Sequence, residues 1–237
     1  MSKPSLTIFS VASEDYLDEI EVLLKSASIN LPDVPFFVEL VNCSEKQMKN
    51  LKAKHPNVEI QIETRDFASV EDRRIFCAGR RSALFMTLRQ QRPDDILLWM
   101  DSDTLIRKPP KGLIEFLSSC DVAVRKRDTE TRKMLDGQSI DYLQSGIFAI
   151  GPNKACQEFM EMFHHLVNRK KYWFADQDAL SIACYRFGHK QTLKIGFLPE
   201  EYSDFRYNKK SSIWHCKGKT KDDPKNDPFW AEVKKFR

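Results

Sequence analysis

The sequence predicts a mixed α/β protein with a mainly parallel central sheet flanked by helices. Short apolar runs alternate with segments of helical period through the first half of the chain, which is typical of a parallel sheet. The run Ile96-Leu97-Leu98-Trp99-Met100 has no alternation of apolar and polar residues, and it predicts a strand buried on both faces. With 237 residues, 41% of them hydrophobic, the chain is long enough for one domain of this kind.

In the first half of the chain, three predicted strands each precede a helix. The strands cover 6–12, 34–42 and 58–63, and the helices cover about 16–28, 44–54 and 73–92, the last with a break allowed near Gly79. The chain has only eight glycines and contains neither of the glycine-rich phosphate-binding motifs. A bound nucleotide would therefore need a metal and basic side chains to neutralise its phosphates.

The second half adds further helices and strands. Helices are predicted at about 112–118, at 153–167 and from about 174, and strands at 121–125, 143–150, 195–199 and 211–216. The segment 126–139 is polar and charged without a clear period, and it predicts a loop. We expect one domain over 1–237, with a nucleotide-binding half of about 1–108 and an acceptor-binding, metal-completing half of about 109–237.

Two carboxylates, Asp101 and Asp103, follow directly on the Ile96–Met100 strand. Ligands of open α/β sheets bind at the carboxyl ends of the strands, so these two acids lie where a ligand is expected. In an extended chain residues i and i+2 point to the same side, where like charges repel and a bound cation relieves the repulsion. The simpler alternative is a pair of solvated acids in a turn.

Three other polar residues and one histidine are candidates for chemistry. Asp176 and Asp178 flank Gln177 at a predicted helix start, where carboxylates either complement the backbone N–H groups or act on a ligand. His215 is either a packed strand histidine or a metal ligand. The Asp-Ser-Asp stretch elsewhere in the chain and the Lys-Gly-Lys that follows His215 favour the ligand interpretation.

Composition excludes several classes of protein. A net charge of +4, with basic and acidic residues intermixed, argues against nucleic-acid binding. The six cysteines lack a Cys-x-x-Cys and predict neither a zinc knuckle nor a disulfide framework. No apolar run approaches the roughly 20 residues that span a bilayer, and residues 1–7 lack a signal-peptide core, so we expect a cytoplasmic protein. Lysines concentrate in 209–235, which predicts a solvated face or a surface for phosphate or for peripheral contact with an anionic membrane.

Four landmarks together resemble the metal-dependent nucleotide-sugar glycosyltransferases of the GT-A fold, and more closely the glycogenin and lipopolysaccharide galactosyltransferase group. In chain order they are Asp101-Ser102-Asp103, Gln144-Ser145-Gly146-Ile147-Phe148, Ala175-Asp176-Gln177-Asp178-Ala179-Leu180 and His215-Cys216-Lys217-Gly218-Lys219. Gln144 and Thr220 stand where that group usually has Asn and Pro. The resemblance covers about residues 6–221 and implies a GT-A-type, Rossmann-like fold.

The resemblance also implies a role for each landmark. Asp103 would be a direct ligand of Mn²⁺ or Mg²⁺, Asp101 would bridge the metal and the ribose, and His215 would complete the protein ligands. Asp176 would hold sugar hydroxyls, Gln177 would lie beneath the anomeric carbon, and Asp178 belongs to the same catalytic group. The expected nucleotide-sugar contacts are Ser10, Val11 and Ala12 at the base, Lys217, Gly218 and Lys219 at the diphosphate, and Arg80, Arg81, Asp101, Ser102, Gln144, Ser145 and Gly146 elsewhere on the donor.

The expected activity is transfer of a hexose-type sugar from a nucleoside diphosphate sugar, with UDP favoured and GDP as the alternative nucleotide. The acceptor is a glycan, a glycolipid or a protein. The resemblance favours retention of configuration, although in an inverting enzyme one of the helix-start carboxylates would be the general base. Two alternatives stay open at this point: a Mg²⁺-dependent phosphatase of haloacid-dehalogenase type, and a catalytically inactive nucleotide-sugar-binding module.

Overall fold

The structure, a computed structural model, describes residues 5–133, 138–169, 172, 174–216 and 227–236, with only the backbone at 128 and 129. The described chain is a mixed α/β protein whose mainly parallel central sheet is flanked by helices, as the sequence predicts. Among the described residues, no helix combines the length and the apolar character needed to cross a membrane.

Strands and helices alternate along most of the chain. The strands are β1 (Leu6–Ser13), β2 (Phe36–Val41), β3 (Val58–Glu63), β4 (Ile96–Met100), β5 (Thr104–Ile106), β6 (Val122–Lys133), β7 (Ser139–Ile150), β8 (Ile195–Phe197) and β9 (Ile213–His215). The α-helices are α1 (Leu17–Asn30), α2 (Glu45–Lys54), α3 (Val70–Gln91), α4 (Leu113–Ser118), α5 (Lys154–Asn168), α6 (Ala175–His189) and α7 (Asp227–Val233).

The chain forms two compact units built from interleaved segments. The first unit comprises Met1–Thr7, Asp66–Trp99 and Ile114–Leu198, and the second comprises Ile8–Arg65, Met100–Leu113 and Pro199–Arg237. The expectation of one domain whose halves meet near residue 108 remains a prediction.

In the second unit, β1, β2 and β3 pair in parallel, with Ile8 opposite Phe36 and Phe36 opposite Val58. Strands β1 and β2 are buried along their whole length, which explains why their sequences are nearly continuous apolar runs. Strands β5 and β9 form a separate antiparallel pair. The side chain of Asn30, at the end of α1, donates a 2.7 Å hydrogen bond to the carbonyl of Ile106 and ties β5 to α1.

In the first unit, the amide of Ile96 donates to the carbonyl of Ser5, so β4 lies beside the first residues of β1. Strand β7 follows β4 in the sheet, and β6 then runs antiparallel to β7 and parallel to β8. Helices α3, α5 and α6 pack with one another, and α6 packs on β7. Their shared core includes Phe148, whose ring centroid lies 4.9 Å from that of Phe85 and 5.7 Å from that of Phe163.

Helix α3 is continuous through Gly79, so the break allowed there does not occur. The helix begins after Ser69, whose hydroxyl accepts a 3.0 Å hydrogen bond from the amide of Asp72. This unbroken helix brings Arg81 to a buried position in the first unit.

The prediction of a loop over 126–139 is wrong for residues 126–133, which continue strand β6. Strand β6 pairs with β7, with Lys126 opposite Leu143 and Lys133 opposite Ser139. The charged side chain of Lys126 forms an ion pair with β7, with its Nζ 2.7 Å from Oδ1 of Asp141. Cross-strand pairing, which local composition does not reveal, stabilises a strand of low apolar content.

Candidate functional site

The second unit brings Asp101, Asp103 and His215 together, as the sequence analysis predicts. One ligand atom from each residue lies within 4.8 Å of the other two. The two acids lie on the turn that joins β4 to β5, and this turn is closed by a 3.1 Å hydrogen bond from the amide of Thr104 to the carbonyl of Asp101. Asp103 and His215 are 112 residues apart in sequence.

The pairing of β5 with β9 places His215 next to the acidic turn. Thr104 is the register partner of His215, and the amide of Cys216 donates a 3.0 Å hydrogen bond to the carbonyl of Asp103. Strand β9 is supported by α7, because Trp214 and Phe229 belong to one buried cluster. The histidine therefore has an anchored position next to the acidic turn.

His215 faces both carboxylates through one ring nitrogen. Its Nε2 lies 3.1 Å from Oδ1 of Asp103 and 3.4 Å from Oδ2 of Asp101. Burial alone would lower the pKa of His215, but the charges and hydrogen bonds of Asp103 and Asp101 outweigh it and raise the pKa to about 10. The same nitrogen that holds a proton between two carboxylates in the metal-free protein is therefore the one that would bind a metal.

Two carboxylates and an imidazole are a donor set that Mn²⁺ accepts readily, and Mg²⁺ accepts it less well because it prefers oxygen ligands. Nδ1 of His215 is buried and has no hydrogen-bond partner among the described residues. In the described part of the chain, this is the group of three that has metal-binding spacing. The residues present thus fit a divalent cation.

The first unit assembles a second polar group around Arg81 and Asp176. Nη1 of Arg81 lies 3.0 Å from Oδ2 of Asp176 and donates a 2.7 Å hydrogen bond to the carbonyl of Ser145. The guanidinium also lies 4.8 Å from the ring centroid of Trp99, in strand β4. Arg81 and Asp176 are 7% and 3% exposed, so the pair is almost fully desolvated. Arg80, the neighbouring candidate, is half-buried.

Asp178 lies one helical position beyond Gln177 and makes a different ion pair. Its Oδ2 accepts a 2.6 Å hydrogen bond from Arg132 of strand β6 and another from the hydroxyl of Tyr172. The Asp178 side chain is 2% exposed, whereas that of Arg132 is 46% exposed. The sequence analysis missed Arg132 because it lay in the segment interpreted as a loop, and it carries no local signal.

The remaining predicted donor contacts fall into three sets. Ser10, Val11 and Ala12 are buried in β1, and the hydroxyl of Ser10 has no hydrogen-bond partner among the described residues. Gln144 and Gly146 lie in β7 beside Ser145, and Ser102 lies on the acidic turn. Lys217, Gly218 and Lys219 fall outside the described residues.

The family model for nucleotide-diphospho-sugar transferases matches residues 41–228. The chain belongs to this family. The match covers the acidic turn, the Arg81 and Asp176 pair and His215. A search of curated protein sequences finds no significant match. Membership of this family confirms the resemblance to nucleotide-sugar glycosyltransferases inferred from the four landmarks.

Several solved glycosyltransferases share the fold of this chain. The bifunctional glycosyltransferase WbbM matches 98% of this chain at 18% identity and a TM-score of 0.62, and the chain spans only 50% of WbbM. Galactosyltransferase LgtC, solved with donor and acceptor sugar analogues, matches 97% of this chain over 96% of its own, at 16% identity and a TM-score of 0.66. GlyE of Streptococcus pneumoniae TIGR4 matches 97% of this chain over 60% of its own, at 13% identity and a TM-score of 0.60. These likenesses confirm the GT-A type of fold.

Proposed function

We propose that this protein transfers a hexose-type sugar from a nucleoside diphosphate sugar, most simply a UDP-sugar, to a glycan, glycolipid or protein acceptor. The reaction depends on Mn²⁺ or Mg²⁺ and retains the configuration of the transferred sugar. The observation that carries this proposal is the meeting of Asp101, Asp103 and His215 within 4.8 Å, in a nucleotide-diphospho-sugar transferase.

In this proposal Asp101, Asp103 and His215 stabilise the departing diphosphate through the cation that they would hold. A bound divalent cation would supply positive charge next to the diphosphate as the anomeric bond breaks. Asp103 and His215 would hold the cation, and Asp101 would help to hold it and would contact the ribose. His215 must release the proton that the two carboxylates hold on it in the metal-free protein.

The Arg81 and Asp176 pair would bind the sugar of the donor. Because its carboxylate is held by a buried guanidinium at 3.0 Å, Asp176 has a defined orientation in which to accept hydrogen bonds from sugar hydroxyls. Gln177 follows it at the helix start, and its buried amide oxygen has no hydrogen-bond partner among the described residues. We assign that oxygen to the face of the sugar beneath the anomeric carbon.

The ion pairs of α6 support retention rather than inversion. Asp176 is paired with Arg81, and Asp178 is paired with Arg132. A carboxylate that already neutralises a guanidinium is a poor base, so neither acid is arranged to take the proton of an acceptor hydroxyl. In a retaining transfer the departing diphosphate takes that proton, and Asp178 acts by holding β6 and Tyr172 at the helix start.

The nucleotide is assigned by family resemblance. Ser10, Val11 and Ala12 would contact the base, while Arg80, Lys217, Gly218 and Lys219 would contribute to the phosphates. Contact of the basic C-terminal residues with an anionic membrane and a cytoplasmic location also stay predictions. The phosphatase alternative has no support from the family match.

The experiment is a donor panel. Purified protein is incubated with UDP- and GDP-sugars and MnCl₂, and release of the nucleoside diphosphate is measured together with the metal-dependent shift in melting temperature. We expect hydrolysis or transfer from one donor, lost on chelation and reduced at least about 100-fold in Asp103→Ala. Asp33→Ala, which removes an exposed carboxylate in another loop, is the matched control.

Two results would contradict the proposal. If no donor reacts and none raises the melting temperature with metal, the protein does not use a nucleotide sugar. If a donor and metal bind but no turnover occurs with any acceptor, the chain is an inactive nucleotide-sugar-binding module.

A further inference from the structure

The first unit contains a cavity of about 240 Å³ that none of the proposed donor contacts lines. We call it the α6 pocket. It lies between the second half of α6 and strands β7 and β8, and its lining includes Leu143, Ser181, Tyr185, His189 and Phe197. The proposed catalytic group lies at the first turn of the same helix.

Small residues on one face of α6 create the space. Ser181, Cys184 and Gly188 follow one another at helical spacing, so this face of the helix carries little side-chain volume. The hydroxyl of Ser181 accepts a 2.9 Å hydrogen bond from the amide of Leu143 and fixes the helix against β7. A Cβ at Gly188 would lie 3.3 Å from Cγ1 of Ile195, so β8 closes the far end of the pocket.

Aromatic rings line two sides of the α6 pocket. Phe197 is 49% exposed, although it is a large apolar side chain on an edge strand. Tyr185 and His189 are stacked, with ring centroids 5.6 Å apart and an interplanar angle of 15°. Exposed aromatic rings around a cavity are typical of a surface that receives a ligand with an apolar face.

The carboxylate that lines the pocket is paired with an ammonium group. Asp141 lines it, and its Oδ1 lies 2.7 Å from Nζ of Lys126, which itself lies 5.9 Å from the ring centroid of Phe197. Because the carboxylate is paired with an ammonium group, the pocket offers hydrogen-bond donors and acceptors without an unpaired carboxylate. The hydroxyl of Tyr185 adds a further polar group, which donates to Oε1 of Gln138.

Aromatic faces combined with neutral hydrogen bonding match a pyranose, which has apolar C–H faces and hydroxyls around its edge. They do not match a phosphate or a carboxylated sugar, which would need a surplus of positive charge. We propose that the α6 pocket is a carbohydrate subsite that binds one neutral sugar residue of the acceptor chain, remote from the residue that is glycosylated. This inference rests on the proposed function.

The separation of the two sites fits an extended acceptor. Tyr185 follows Asp176 by nine positions on α6, which at 1.5 Å per residue places the pocket roughly 14 Å along the helix axis from the carboxylate. A single monosaccharide cannot reach both places, whereas an oligosaccharide can. The α6 pocket would therefore make the enzyme prefer long acceptors over short ones.

The test measures glycan binding without donor and with metal removed by EDTA. The probes are neutral hexaoses of glucose and of galactose with α and β linkages, observed by saturation-transfer NMR, with oligogalacturonate as the charged comparison. We expect a neutral hexaose to bind and Phe197→Ala to weaken its affinity at least about 10-fold, consistent with removal of an aromatic contact. Ile29→Ala, which removes an exposed apolar side chain in the other unit, should leave binding unchanged.

Each other outcome overturns the inference. The α6 pocket is not a neutral carbohydrate subsite if no hexaose binds, if Phe197→Ala binds as tightly as the wild type, or if oligogalacturonate binds more tightly than every neutral probe. Because neither donor nor metal is present, these outcomes are independent of the donor panel. Once a donor is known, Phe197→Ala should raise KM for a long acceptor and leave kcat/KM for a monosaccharide acceptor unchanged.

Discussion

Metal binding should depend steeply on pH because the cation must displace a proton from His215. The pKa of this histidine is raised to about 10 by Asp103 and Asp101. At pH 7 the side chain is therefore protonated in the metal-free protein, and the imidazolium supplies a positive charge that a metal would have to replace. Raising the pH from 7.0 to 8.5 removes part of this competition and should strengthen binding of Mn²⁺.

The magnitude follows from one displaced proton. A pKa of about 10 lies about three units above pH 7, which costs the metal roughly 4 kcal/mol of binding free energy at that pH. As long as the pH stays below this pKa, raising it by one unit makes the binding free energy of the metal about 1.4 kcal/mol more favourable, which is a factor of about 10 in affinity. Between pH 7.0 and 8.5 the dissociation constant for Mn²⁺ should therefore fall about 30-fold.

The assay is a titration followed by the EPR signal of free Mn²⁺, at a fixed concentration of UDP. The second phosphate ionisation, with a pKa of about 6, is about 90% complete at pH 7 and contributes little to the slope. His215→Asn should bind Mn²⁺ more weakly at pH 8.5 and should lose the pH dependence. His165→Asn, which removes an exposed histidine, is the control and should behave as the wild type.

A flat pH profile for the wild-type protein would refute the reasoning. So would an equal slope in His215→Asn, because the displaced proton would then belong to another group. Calorimetry in two buffers of different ionisation enthalpy counts the proton directly, and we expect about one proton released for each Mn²⁺ bound at pH 7.

Three further predictions concern stability. In EDTA, the ion pair of His215 should stabilise the fold fully below pH 6.5 and progressively less up to about pH 10, so wild-type melting temperatures should fall over that range relative to His215→Asn. Arg89 donates hydrogen bonds to five main-chain carbonyls. Arg89→Met should therefore lower the free energy of unfolding, measured in urea, by roughly 3–5 kcal/mol. A loss below about 1 kcal/mol would show that these hydrogen bonds are dispensable. A Cβ at Gly196 would lie 2.7 Å from Sγ of Cys120. Gly196→Ala should therefore lower the free energy of unfolding by roughly 1–3 kcal/mol, and adding Cys120→Ala should restore part of that loss. An unchanged melting temperature in the single variant would contradict the clash.

The position of the two carboxylates in the proposed metal site was predictable from local sequence. A non-alternating apolar run indicates a strand buried on both faces, and whatever follows it lies at the carboxyl edge of the sheet. Asp101 and Asp103 occupy that position in the structure, on the turn after β4. A hydrophobic pattern depends only on residues that are close together in the sequence, so it predicts correctly those strands and helices that have a strong local pattern.

Contacts between residues far apart in the chain could not be predicted in this way. His215 could be nominated as a ligand from its sequence surroundings, but its contact with Asp103 depends on the register of β5 against β9. Arg132 could not be nominated at all, because a charged stretch has the composition of a loop until a partner strand pairs with it. The α6 pocket likewise depends on which small residues of a helix happen to face an edge strand.

The alternation of strands and helices in the first half of the chain, the absence of glycine-rich phosphate loops and the acidic turn follow from the amino-acid sequence of this protein, because each depends on contacts between residues close together in the chain. The ion pairs of Asp176 and Asp178, the raised pKa of His215 and the α6 pocket follow from packing alone. Each of them joins residues from distant segments, and the charges interact only at distances of a few ångströms in a desolvated interior. No pattern along the chain encodes such distances, whereas the folded arrangement sets them directly.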